Sequence, residues 1–282
     1  MVEIITAETA GFCFGVKKAV DEAFRLAEEK KELYTYGPVI HNDEVMRRLT
    51  EKGVKLVESE EELAALSGGT VLLRSHGVPK RVITLLDEKG IDYVDVCCPF
   101  VKRIHGIVDR ESGEKQIVII GNPKHPEVEG IMGWCRTPAE VLSTEEEASE
   151  YTPKDDRAIC VVAQTTFNHN LFKKILEIFE KKSYDVTVVD TICNATFRHQ
   201  SEAREIAGRV DAMIVIGDTK SSNSRKLYEI CRKECDRTEF IQTVSGLTLV
   251  QDGSIHTVGI TAGASTPNYI IEEVQKHVRR EF

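Results

Sequence analysis

No run of eighteen apolar residues occurs anywhere in the 282 residues, which excludes a membrane-spanning helix of ordinary length. The opening MVEIITAETAGF has neither the basic region nor the long apolar region of a signal peptide, so a cytoplasmic location is expected. Also missing are a low-complexity linker, a Walker A loop and a GxGxxG following a strand; a bound nucleoside triphosphate or a tightly held nicotinamide is therefore not indicated. Positive charge is in deficit, with 37 Lys and Arg against 46 Asp and Glu and a formal net charge of −9. That balance argues against general nucleic-acid binding while leaving room for a local pocket that takes a small anion. The 41% hydrophobic and 29% charged residues are ordinary for a globular protein.

Against these absences stand eight cysteines. A reducing compartment and a strand-helix pattern favour metal or catalytic roles over a disulfide framework. Three of them share a setting: Cys13 in AETAGFCFGV, Cys98 in YVDVCCPFV and Cys193 in VVDTICNAT. In each, an apolar stretch ends in a polar or glycine-bearing turn just before an expected helix. They lie 85 and 95 residues apart, so only a folded chain brings them to one metal site. A four-iron cluster on three thiolates keeps one iron open, as a catalytic metal requires. Cys97 abuts Cys98, and adjacent side chains in an extended segment face opposite ways; Cys98, which precedes Pro99, is taken as the ligand. Cys160 reads as core, Cys231 and Cys235 as half-buried residues on a helix, and Cys135 has no evident partner.

Short apolar runs alternate with amphipathic stretches along the chain, the signature of βαβ units and largely parallel sheets. VEIITA reads as a strand, and Val16, Ala19, Val20, Ala23, Phe24 and Ala27 follow at helical spacing. Strands are expected at 70–74, 116–121, 158–164, 211–217 and 256–261. Helices are expected near 79–89, 126–133 and 168–182, and from about 222 and 267. The acidic stretches ESEEEL and STEEEASE read as solvated turns or helix starts. The length suits two or three compact units. Division at the cysteines gives α/β units at 14–97, 98–192 and 193–282, a pseudo-threefold arrangement with the cysteines at its centre.

His41 in PVIHNDEV, His76 in RSHGVPK and His125 in NPKHPEVEG each follow an apolar segment and adjoin a helix start. Imidazoles there bind phosphate together with backbone N–H groups and the positive end of the helix dipole; a structural role is the alternative for each. The turns TKSSNSRKL and TAGASTPNYI place Ser221, Ser222, Asn223 and Ser265 at helix mouths, where helix capping and anion binding are compatible. Pro267 suits a first helical turn. Glu127 either passes protons to a substrate or stabilises the start of its helix. Thr165 and Thr166 either contact a substrate hydroxyl or cap a helix.

The segments GFCFGVKKAV, GPVIHN, RSHGVP, CPFVKRIH, HPEVEGIMG, AQTTF, TICNAT, KSSNS and TAGASTP, in this order over nearly the whole chain, resemble the 4-hydroxy-3-methylbut-2-enyl diphosphate reductases. This family performs the last step of the methylerythritol phosphate route to isoprenoids. The resemblance implies three α/β units around a central, oxygen-sensitive [4Fe-4S] cluster on Cys13, Cys98 and Cys193, with strand 1–13 joined to the third unit. It implies that His41, His76, His125, Ser221, Ser222, Asn223 and Ser265 bind the diphosphate, that Thr165 positions the substrate hydroxyl on the unique iron, and that Glu127 delivers protons. Electrons then come from outside, from a ferredoxin or flavodoxin, because no flavin or nicotinamide motif is present. The chain departs from the family at Cys97, where threonine is usual. Two rival readings are another three-cysteine [4Fe-4S] hydro-lyase or dehydratase, and a non-enzymatic zinc module, which usually completes four protein ligands.

Overall fold

In the computed structural model, which describes residues 2–282, the alternating pattern becomes twelve strands and eleven α-helices among the described residues. The first stretch runs β1 (Glu3–Thr6), α1 (Phe14–Glu29), β2 (Leu33–Tyr36), α2 (Asp43–Glu51), β3 (Lys55–Val57), α3 (Glu60–Ala65), β4 (Thr70–Leu73), α4 (Lys80–Lys89) and β5 (Asp92–Asp95). It continues through α5 (Pro99–Glu111), β6 (Gln116–Ile120), α6 (Pro126–Met132), β7 (Glu140–Leu142), α7 (Glu145–Glu150), β8 (Ile159–Ala163), α8 (His169–Lys181) and β9 (Val186–Val188). The last stretch holds α9 (Asn194–Ala207), β10 (Ala212–Ile216), α10 (Ser222–Glu234), β11 (Thr238–Ile241), β12 (Thr257–Ala262) and α11 (Asn268–Glu281).

Every strand pairing is parallel, and the strands form three four-stranded sheets ordered β3-β2-β4-β5, β7-β6-β8-β9 and β11-β10-β12-β1. The same order recurs three times, and in the third sheet the closing edge strand is supplied by the start of the chain. Helices cover parallel sheets on both faces, so inner strands are continuous apolar runs rather than alternating ones. All residues of β4, β6, β8 and β10 are buried accordingly. The two acidic stretches are helix starts: Ser59 accepts from the N–H of Glu62 and Thr144 from that of Glu147, opening α3 and α7 at equivalent places in two sheets. In each, the third helical residue, Glu62 or Glu147, also reaches back past the cap to the N–H of Glu58 or Ser143.

The contacts divide the chain into two bodies. One comprises the N-terminal segment through Lys17, Ile40–Arg47 and Asn194–Phe282, and holds the β11-β10-β12-β1 sheet. The other comprises Lys18–Val39 and Arg48–Cys193 and holds the other two sheets. Inside this second body, the two sheets join where α5 meets α6. There the His105 ring stacks on Trp134 with centroids 5.2 Å apart, and the Trp134 indole donates to the carbonyl of Val78 at 3.0 Å. No helix among the described residues is long and apolar enough to cross a membrane.

Phe179 is 1% exposed in a cluster with Val161, Phe172 and Ile175 over the β7-β6-β8-β9 sheet. Phe179→Ala removes a large buried ring that its neighbours cannot refill, so a loss of about 3–5 kcal/mol is expected in denaturant unfolding.

Candidate functional site

The three cysteines are placed by one repeated backbone hydrogen bond. The N–H of Cys98 donates to the carbonyl of Ser75 at 2.9 Å, that of Cys193 to Thr165 at 3.0 Å, and that of Cys13 to Ala264 at 3.4 Å. Each acceptor lies two residues beyond an inner strand, namely β4, β8 and β12. Each cysteine follows the edge strand paired to that inner strand: β5, β9 and β1. A helix begins directly after each one, with α1 starting at Phe14, α5 at Pro99 and α9 at Asn194. Thiolates are favoured at helix N-termini by the dipole and the open backbone N–H groups.

Two of these loops share a further device. Asp95 and Asp190 stand three residues before their cysteines, and their carboxylates accept from the N–H of Cys97 at 2.8 Å and of Ile192 at 3.1 Å. The segments DVCC and DTIC are thus the same turn, and Cys97 occupies the place of an isoleucine. Cys97 is 7% exposed and burial pushes its thiol well above the usual range, whereas Cys13, Cys98 and Cys193 are all partly exposed. This equivalence favours Cys98 over Cys97 as the ligand. The other cysteines read as structural: the Cys231, Cys235 and Cys135 thiols lie against backbone carbonyls of Ala203, Val210 and Ile131, and Cys160 is fully buried in β8.

In the body built on two sheets, Glu127 is 2% exposed in the first turn of α6. Its carboxylate accepts from the backbone N–H of Thr165 at 2.6 Å and from the Thr165 hydroxyl at 2.9 Å. Burial pushes its pKa up to about 7 against the opposing pull of those two bonds, since a carboxylate without a cation partner is costly away from water. Thr165 is not a helix cap; Asn168 caps α8 instead, accepting from the N–H of Leu171 at 3.0 Å. His125 is the N-cap of α6, and its Nδ1 accepts from the N–H of Glu127 at 3.1 Å. This leaves Nε2 carrying the proton in the neutral ring, a donor suited to an anion. His76 meets His125 edge to face, with centroids 5.5 Å apart and ring nitrogens within 4.8 Å.

In the other body, Ser221 caps α10, accepting from the N–H of Ser224 at 3.3 Å, and its hydroxyl lies 3.4 Å from that of Ser265. Ser222 is the first residue of the helix. Asn223 is 4% exposed, and both polar atoms of its amide are buried without a partner among the described residues. An orphaned buried amide is rare in folded proteins, and such an amide takes an ordered water or a polar ligand. Pro267 is the cap of α11 rather than part of its first turn, and the helix starts at Asn268. His41 stands just before α2, which Asn42 caps by accepting from the N–H of Val45 at 3.0 Å. Gln242 bridges this segment to the loop before Ser221, donating to Asp218 at 2.9 Å and to Asp43 at 3.3 Å. The structure therefore groups Cys13, His41, Ser221, Ser222, Asn223 and Ser265 in one body and Cys98, Cys193, His76, His125, Glu127 and Thr165 in the other. Asp95, Asp190, Asp218 and Gln242 were not singled out by sequence reading. The DVCC and DTIC pair was the available signal for the first two.

The family model for the LytB protein matches residues 4–279. The chain belongs to the LytB family. Similar relatives include the 4-hydroxy-3-methylbut-2-enyl diphosphate reductase of Caldanaerobacter subterraneus subsp. tengcongensis, 42% identical over 281 residues and covering 99% of this chain and 97% of the relative. That of Alkaliphilus oremlandii is 44% identical over 277 residues, covering 97% and 98%. Among solved structures, an (E)-4-hydroxy-3-methyl-but-2-enyl diphosphate reductase described as the terminal enzyme of the non-mevalonate pathway is 38% identical, with a TM-score of 0.68 and coverage of 99% and 100%. The E-1-hydroxy-2-methyl-but-2-enyl-4-diphosphate reductase of Plasmodium falciparum is 22% identical with a TM-score of 0.90, over 99% of this chain and 87% of that one. This last likeness concerns the fold alone, and it extends to all three parallel sheets.

The raised Glu127 pKa sets the sign of a pH effect. Between the unfolded carboxyl value and about 7 the folded state keeps a proton that the unfolded state releases, so stability falls as pH rises through that window. Glu127→Gln removes this titration. Its stability relative to the parent, followed by denaturant unfolding under argon, is expected to improve by about 3 kcal/mol between pH 4.5 and 7.5.

Proposed function

We propose that this chain reductively removes the allylic hydroxyl of 4-hydroxy-3-methylbut-2-enyl diphosphate as water, yielding isopentenyl and dimethylallyl diphosphate in the cytoplasm. The observation that carries this reading is the threefold cysteine hook with a buried, proton-holding Glu127 bound to Thr165, the residue whose carbonyl receives Cys193. Family membership and the names of full-length relatives support the same substrate.

The donor set fits a [4Fe-4S] cluster. Three partly exposed thiols stand at three helix N-termini, each beside a loop that also carries a proposed substrate contact: Ser265 next to Ala264, Thr165 itself, and His76 next to Ser75. When bound by Cys13, Cys98 and Cys193, such a cluster supplies electrons one at a time and an open Lewis-acidic iron. The division at these cysteines into 14–97, 98–192 and 193–282, with 1–13 joined to the last, belongs to this same reading.

The chain's own residues do the rest. His76, His125 and His41 donate ring N–H groups to the diphosphate, and Ser221, Ser222, Asn223 and Ser265 add hydroxyl and amide donors at the positive ends of α10 and α11. The Thr165 hydroxyl orients the substrate hydroxyl. Glu127, with a pKa of about 7, is protonated in a useful fraction at neutral pH and delivers the proton with which the hydroxyl leaves. The two electrons and the second proton complete the balance. The electrons come from an external one-electron donor such as a ferredoxin or flavodoxin, since the chain carries neither a flavin nor a nicotinamide motif.

Anaerobically purified protein should be brown with about four irons per chain, and should oxidise reduced methyl viologen only when the allylic diphosphate is added. A colourless protein, or one that leaves the reductant untouched, removes the reading. Cys13→Ser, Cys98→Ser and Cys193→Ser should each lose the visible absorption, while Cys97→Ser keeps it. Glu127→Gln should keep the absorption and the substrate affinity and turn over about 100-fold more slowly.

A further inference from the structure

Arg74 is an unusual residue to find buried. It follows β4, in the turn that carries Ser75, His76 and Gly77, and its side chain is only 11% exposed. Its Nε donates to the carbonyl of Gly77 at 3.1 Å. The guanidinium lies 5.7 Å from the centroid of the Tyr36 ring and against the backbone of Gly37, where a Cβ would come within 2.8 Å of it. That glycine has φ +68, so both its conformation and the guanidinium exclude a side chain there. The carboxylate opposite is that of Glu129 in α6, at 3.6 Å, which also faces Arg81 at 3.8 Å. Burial pulls the guanidinium's proton affinity down and Glu129 opposes it. On the other side of the same turn, Gly77 packs against the His105 ring and the Cys97 thiol, so it has no slack in that direction either.

The two ends that Arg74 joins are those that matter for the diphosphate in the reading above. One is the turn holding His76, whose Ser75 carbonyl receives Cys98. The other is α6, whose first residues are the His125 cap and Glu127. We propose that Arg74 is a positioning residue for anion binding: by bonding the Gly77 carbonyl and pairing with Glu129, it holds His76 edge-on to His125 at the separation that a diphosphate oxygen needs. The proposal rests on the assignment of those two histidines to the diphosphate. Lysine reaches one of the two partners but lacks the planar fork that serves both.

The test compares Arg74→Met, Arg74→Lys and Glu129→Gln with the parent, all purified anaerobically, using inorganic pyrophosphate binding by calorimetry alongside KM and kcat for the allylic diphosphate. Arg74→Met is expected to weaken pyrophosphate and raise KM by about 30-fold, the size of losing a buried charged hydrogen-bond donor, with visible absorption unchanged and kcat within about 3-fold. Arg74→Lys should recover about a third to a half of that loss on a logarithmic scale. Glu129→Gln, an exposed change that does not threaten folding, should move the same two quantities by about 3-fold in the same direction. If Arg74→Met does not fold, the other two variants decide. Unchanged pyrophosphate affinity and KM, or a fall in kcat alone, overturns the positioning role and leaves the proposed reaction standing. A parent protein that binds neither pyrophosphate nor the allylic diphosphate overturns both.

Discussion

One backbone hydrogen bond, made three times, is the constraint on which the candidate site depends. The N–H of each candidate cysteine reaches past the end of its own edge strand to a carbonyl two residues beyond the neighbouring inner strand. Parallel strands all end at the same edge of a sheet, so such a bond places the cysteine where ligands of open α/β sheets usually bind. It also fixes what lies beside each cysteine: His76 follows Ser75, Thr165 is itself an acceptor, and Ser265 follows Ala264. Each candidate metal ligand is thus bonded directly to the turn that carries a candidate substrate contact.

The electrostatics follow from the same ends of the sheets. The chain carries a net charge of −9, yet His125, Ser221, Ser222 and Asn223 of the groups assigned to an anion stand at helix N-termini, where dipoles and open N–H groups favour negative charge irrespective of the surface balance. Nδ1 of His125 accepts from the N–H of Glu127, so in the neutral ring Nε2 is the donor. Two residues on, the carboxyl of Glu127 is buried with the neutral Thr165 N–H and hydroxyl as donors, and its pKa rises to about 7. An arginine within hydrogen-bond reach would have pushed that value the other way. The buried Arg74 is engaged instead with Gly77 and Glu129, the exposed carboxylate of the same helix.

Sequence reading located the inner strands closely, because both faces of a central parallel strand are covered and the apolar run is unbroken. Residues 116–121 and 158–164 were expected as strands, and β6 and β8 occupy Gln116–Ile120 and Ile159–Ala163. Edge strands were harder to see. β3 reads KLV with two exposed residues and β9 reads VTV with two, so neither length nor apolarity separates them from loops. The acidic stretches, ambiguous between turn and helix in the sequence, resolve into helices because Ser59 and Thr144 cap them and a glutamate reaches back. Of the site, the cysteine settings and the histidine and serine turns were legible as residue types at expected strand ends. Arg74 and Gln242 were not, since a buried arginine and a surface arginine read alike until the fold surrounds one of them.

The sequence by itself determined the alternation of strands and helices, the parallel character of the sheets, and which turns carry cysteine, histidine and hydroxyl groups, because these are set by local periodicity and by residue chemistry. No local pattern records that the first strand closes the last sheet, where β1 meets β12 across more than 250 residues; only the family resemblance implied it. Tertiary structure alone decided that the carboxyl of Glu127 is shut away with Thr165. Burial and pairing are properties of what the folded chain packs around a group, and the group's own neighbours in sequence do not contain them.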